Sequence, residues 1–146
     1  MIKVSQLRIG NYLYDNKDNL CRVEQLNSNA DETEVYAPVI KGALTYLPNK
    51  PIPLTEETLL KCGFEKVVVK GDFDAGFDDD ITYGLEYKRE FYLSYDASDF
   101  SIAIFSSKLA YDYEDGICIP LESAKYLHQL QNIFFSLTGE ELKIEL

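Results

Sequence analysis

The chain has 146 residues, one domain's worth by length, and enough to bury a core without a metal ion or a disulfide. Apolar residues make up 46%, which excludes disorder for the bulk of the chain. Fourteen basic against 25 acidic side chains leave a net charge of −11, which repels a phosphate backbone, and Lys88-Arg89 is the nearest thing to a basic cluster, so nucleic-acid binding is not expected.

Residues Met1–Gln6 have no apolar h-region and no cleavage site, so no signal peptide is expected. Residues 10–14 and 20–26 flank the polar turn Asp15–Asn19 and read as a β-hairpin. Residues 27–34 read as a loop, and 35–40 and 43–47 as short strands, giving a small bent sheet over residues 1–50. Residues 48–53 carry three prolines and read as an extended connector. Thr55 then caps a short helix with Glu56 and Glu57 in its first turn, and Gly63 closes it.

A strand is expected over 64–70, around Val67-Val68-Val69, followed by the acidic loop 71–80. Residues 81–87 and 90–95 form a second hairpin about Lys88-Arg89, and 100–105 another strand. Residues 109–113 and 117–119 flank the turn dipeptide Asp115-Gly116. Ser123 to Leu137 reads as the principal helix, its core face made by Tyr126, Leu127, Leu130, Ile133, Phe134 and Leu137, with Gly139 as its C-cap. Residues 140–146 read as a last strand, with Leu142, Ile144 and Leu146 on one side. No apolar run approaches 18 residues, so no membrane span is expected.

No catalytic signature is present, and no catalytic residue, cofactor or metal is assigned. Cys21, Cys62 and Cys118 are odd in number and form no CxxC pair, which fits a reducing compartment and thiols used as small apolar residues. In the acidic loop, Asp72, Asp74, Asp78, Asp79 and Asp80 invite a calcium reading. An EF-hand counted from Asp72 would need ligands where Gly76 and Tyr83 stand, so the loop reads as solvated, with a looser ion site as the alternative. Phe73 and Phe77 either tuck inward or stand out as contact points. His128 is the only histidine, so neither a triad nor a two-histidine metal site is available. Phe135 falls on the polar side of the helix, beside His128, Gln131 and Asn132. Either the N-terminal residues cover that side, or these four residues form a partner surface.

Three segments together carry a resemblance: Leu7-Arg8-Ile9-Gly10-Asn11-Tyr12; Pro51-Ile52-Pro53-Leu54-Thr55-Glu56-Glu57 through Leu60-Lys61-Cys62-Gly63-Phe64; and Tyr126-Leu127-His128-Gln129-Leu130-Gln131-Asn132 through Leu137-Thr138-Gly139-Glu140-Glu141-Leu142. In this order they resemble a family of small uncharacterised proteins from Bacteroidetes genomes, their prophages and their phages. The resemblance implies a phage or mobile-element context and brings no activity, cofactor or site residue with it.

The expected fold is α+β, a mostly antiparallel sheet packed against one long C-terminal helix, with a short helix after the proline-rich connector. It is a single domain, 1–146, with residues 1–50 as a small β subdomain and 51–146 as the remainder. The leading functional reading is a non-enzymatic, acidic protein-binding module of phage or prophage origin, located in the bacterial host cytosol. A self-associating virion or assembly component is the first alternative, with Phe135 and the last strand as its contacts. A small-ligand-binding protein or enzyme is the second.

Overall fold

A computed structural model describes residues 2, 6–28, 33–36, 50–72, 74–112 and 118–145. In chain order the elements are β1 (Tyr12–Tyr14), β2 (Leu20–Arg22), β3 (Gln25–Ser28), β4 (Thr33–Tyr36), α1 (Glu56–Lys61), β5 (Glu65–Val69), β6 (Asp80–Tyr87), β7 (Phe91–Asp96), β8 (Ser101–Phe105), α2 (Lys108–Asp112), β9 (Cys118–Leu121) and α3 (Leu127–Thr138). The fold is α+β, and among the described residues every strand pairing is antiparallel. Two units divide the chain: residues 1–54 with 125–142, and residues 55–124 with 143–146. The principal helix therefore belongs with the N-terminal strands, whereas a division at residue 50 would leave it in the remainder.

In the first unit β1 and β2 form the expected hairpin, with Leu13 opposite Cys21. Its turn is tied by Asp15, whose carboxylate accepts the Lys17 and Asn19 N–H groups at 2.8 Å each and the Asn19 amide at 2.9 Å. Leu7, Leu13, Cys21 and Val23 make a small apolar core, with Leu26 packed against it. The loop expected at 27–34 is in part a second hairpin, since β3 and β4 pair through Asn27 opposite Glu34 and Ser28 opposite Thr33. Polar composition hid it, because ladder hydrogen bonds come from the backbone and local propensity is a weak guide in strands. The expected strand at 43–47 lies outside the described residues.

The proline-rich connector is partly laddered. Leu54 donates to the Lys125 carbonyl at 3.0 Å, Leu127 donates to the Ile52 carbonyl at 2.8 Å, and Pro53 bridges Tyr126. Tyr126 is thereby held extended, so α3 begins at Leu127 rather than at Ser123. Gln129 caps it from within, its side-chain oxygen accepting the Lys125 and Tyr126 N–H groups at 2.9 and 3.1 Å. Gly139, at φ +70°, ends it as expected.

The second unit is a five-stranded meander in the order β5-β6-β7-β8-β9. Thr55 caps α1, accepting the Thr58 N–H at 3.2 Å, and Gly63 turns the chain at φ +86°. On the face that carries Tyr83, Leu93, Tyr95 and Ile102, all buried, the Tyr83 hydroxyl donates to Glu56 of α1 at 2.8 Å. On the opposite face, Tyr111 of α2 packs its ring 4.9 Å from Tyr92 and 5.0 Å from Phe105, and its hydroxyl lies 2.6 Å from that of Thr82. A strand was expected over 109–113. One helical turn forms instead, which puts residues 109 and 111 on opposite sides, with Leu109 exposed and the Tyr111 N–H donating to the Ser107 carbonyl at 3.2 Å. The Asp115-Gly116 turn lies outside the described residues.

Residues 140–145 form no strand, contrary to expectation. Leu142 is buried, while the Glu145 N–H donates to the Lys61 carbonyl at 2.8 Å, so the segment is held by side-chain burial and single bonds rather than by a ladder. The sheet edge that a last strand would have offered to a second copy is not formed by these residues. Among the described residues, no helix is long and apolar enough to cross a membrane.

Candidate functional site

Two places were singled out by sequence: the side of α3 carrying His128, Gln131, Asn132 and Phe135, and the acidic loop. The structure brings the four α3 residues onto one side, with His128 and Gln131 buried, Asn132 half-buried and Phe135 exposed. Gln131 is 1% exposed and His128 2%. Gln131 accepts the Tyr12 N–H at 2.9 Å and donates to the Gly10 carbonyl at 3.1 Å. Asn132 donates to the Gln6 carbonyl at 3.0 Å and accepts from the Asn11 amide at 2.9 Å. Phe135 is 37% exposed, with the Arg8 guanidinium 4.1 Å from its ring centre. That guanidinium is itself held by Glu141 through paired contacts, Nη1 to Oε1 and Nη2 to Oε2, the latter at 2.9 Å. The Arg8 side chain holds the Glu141 carboxyl below its usual range.

Residues 6–12 thus pack against Gln131, Asn132 and Phe135. The physical reason lies in the backbone groups of Gly10 and Tyr12, which need polar partners once buried, and Gln131 supplies them. The buried arc of α3 is Leu127, His128, Leu130, Gln131 and Phe134, rotated from the expected one, so Leu137 is exposed.

His128 stacks on Tyr126, with ring centres 6.0 Å apart, and its buried Nδ1 has no hydrogen-bond partner among the described residues. Burial lowers its pKa from 6.5, favouring the neutral ring. A histidine depressed in the folded state contributes stability above its unfolded pKa and loses that contribution as pH falls through 6.5 toward the lower folded value. Urea midpoints should therefore be nearly level above pH 7 and drop as the pH falls below 6.5, before the carboxylates titrate. In His128→Leu this part of the pH dependence should vanish. An unchanged slope in the variant would place its origin elsewhere.

The acidic loop is organised by its own aspartates. Asp72 accepts the Asp74 and Ala75 N–H groups at 3.1 and 3.2 Å, and its carbonyl accepts the Phe77 N–H at 2.8 Å. Asp79 accepts the Gly71 N–H at 2.9 Å and pairs with Lys70 at 3.4 Å, and the Gly71 bond holds its carboxyl below the usual range. A Cβ on Gly71 would collide with the Phe77 and Asp78 carbonyls, so the loop closes tightly on that glycine. Asp80 opens β6, opposite Val69. Asp74 and Asp78 are exposed. Among the described residues no three acidic, cysteine or histidine side chains gather in a way that could hold a metal ion. Phe77 is 68% exposed, and Phe73 lies outside the described residues.

Next to this loop, Val68 and Ile81 pair across β5 and β6 and are 46% and 41% exposed. Sequence reasoning assigned both to strands and missed them as a surface. Their exposure depends on β5 being terminal in the sheet, which topology decides.

The described cysteine side chains carry no reactive thiolate. Burial pushes the Cys62 thiol up to about 12 and raises that of Cys21.

No family model matches the chain, and neither does any curated protein or solved structure.

Proposed function

We propose that the chain is a non-enzymatic, acidic protein-binding module of phage or prophage origin, acting in the cytosol of a bacterial host on a host protein or defence system. The observation that carries the reading is the exposed apolar pair Val68 and Ile81, with Phe77 exposed in the adjoining acidic loop 71–80, on a chain of net charge −11. Large apolar side chains grouped on a surface, rimmed by charge, mark interaction sites more often than isolated ones do. The like charge disfavours nucleic acid as a ligand and favours a basic protein. The phage context comes from the resemblance of the three segments alone.

A tagged pull-down of the full chain from host lysate, read by mass spectrometry at low and moderate salt, tests it. A specific partner is expected, with basic partners weakening as salt rises. Recovery of no specific partner at either salt would overturn the reading.

A further inference from the structure

We infer that the outer edge of β5 is a docking strand for an extended, basic segment of a partner protein, which adds to the sheet there and sets its cationic side chains against the acidic loop. The inference rests on the protein-binding reading above and names its surface and the chemistry of its partner.

In the sheet order β5 is terminal and pairs only with β6. Among the described residues no backbone hydrogen bond reaches Glu65–Val69 from the other side, and four of these five residues are exposed. Such a row of free N–H and C=O groups is a template for another strand. Natural edges are commonly blunted by lysine, proline or a bulge. The opposite edge, β9, carries Pro120. On β5 the guarding is weak. Lys66 is drawn to Glu56 at 3.1 Å, Lys70 just beyond the strand is drawn to Asp79 at 3.4 Å, and Val67, Val68 and Val69 fill the rest.

An added strand would lay alternate side chains beside Val68 on one face and beside Val67 and Val69 on the other. Val68 and Ile81 form an apolar pair on the first of these faces, and Val69 is 50% exposed on the second. The charge beside them selects the occupant. Asp72, Asp74, Asp78 and Asp80 carry no ion-pair partner among the described residues, and the nearest lysine in sequence, Lys70, is already engaged by Asp79. A second copy would bring another −11 and the same loop, a repulsion strongest at low salt. A basic segment meets the opposite sign.

The test uses the full chain and two blocked heptapeptides, one alternating lysine with valine and one alternating glutamate with valine. Amide hydrogen exchange locates binding, and fluorescence anisotropy measures it. The lysine peptide is expected to slow exchange at Glu65–Val69, and the glutamate peptide to leave it unchanged. Asp74→Asn with Asp78→Asn, at exposed side chains that make no described hydrogen bond, should weaken binding about fivefold. Val68→Lys should abolish the protection. Protection elsewhere, or equal protection by the glutamate peptide, overturns the proposal. So does a concentration-dependent dimer that protects Glu65–Val69 without peptide, since the occupant is then a second copy.

The pull-down separates this inference from the reading beneath it. A partner captured by the wild-type chain and retained by Val68→Lys/Ile81→Lys overturns the β5 site and leaves the binding module standing. A partner lost by that variant, with wild-type unfolding midpoints, supports the site. A wild-type chain that captures nothing overturns the module reading, while the exchange experiment still decides the edge.

Discussion

Gln131→Leu should destabilise the protein by about 3 kcal/mol and lower Tm by roughly 10 °C. The side chain is nearly the same size, so little packing is lost. What is lost is polar satisfaction: the Tyr12 N–H loses its acceptor and the Gly10 carbonyl its donor. Each is a main-chain group placed beside buried α3 residues, and each orphaned group costs about 1–3 kcal/mol. Asn11, itself fully buried, also loses its second contact, the 3.5 Å approach of its amide to Gln131, while keeping its bond to Asn132. Asn132→Ala should cost less, because its bond to the Gln6 carbonyl is exposed and water can replace it. Urea unfolding followed by circular dichroism would read both. A loss below about 1 kcal/mol for Gln131→Leu would mean that water reaches Gly10 and Tyr12 and that the network is not what holds residues 6–12 to the helix.

Gly84→Ala should cost about 2–3 kcal/mol, although alanine is a small residue and strand positions ordinarily accept it. The ring of Tyr92 lies across Gly84, and an added Cβ would fall on its hydroxyl oxygen and terminal ring carbon. Tyr92 is buried and packs against Tyr111 of α2, so it cannot swing into solvent without undoing that contact. The cost is overpacking and should be strongly coupled. In a double-mutant cycle, Tyr92→Leu should remove much of the penalty of Gly84→Ala, giving an interaction of 1 kcal/mol or more, roughly. Additive effects would show that the strand backbone, rather than the ring, sets the cost.

Much of the second unit was legible in the sequence. Thr55 and Gly63 marked the ends of α1, and the runs of alternating aromatic and aliphatic residues marked β5 to β8, because a meander is built from neighbours in the chain. Where a distant partner decides the outcome, the reading failed. Lys125 and Tyr126 would suit a helix, yet a bridge to Pro53, flanked by bonds to Ile52 and Leu54, keeps them out of it. For the side of α3 that carries Gln131 and His128, the pattern left open cover by the N-terminal residues or a partner surface, and it did not say which backbone groups would do the covering at Gln131. Nothing local announces that Gly10 and Tyr12 will need Gln131 from 120 residues away. The acidic loop was visible as a loop, but the exposure of Val68 and Ile81 follows from strand order, which periodicity does not encode.

The discontinuity of the first unit also bears on the sequence of events during synthesis. Residues 55–124 pair mostly with near neighbours and can organise as soon as they leave the ribosome. The hairpin of β1 and β2, made far earlier, waits for α3 to supply Gln131 and Asn132 before Gly10, Asn11 and Tyr12 gain their partners. These strands are thus made before residues 55–124 and completed after them. A nascent chain stalled before residue 125 would carry an ordered middle behind an N-terminal segment still open to chaperones and proteases.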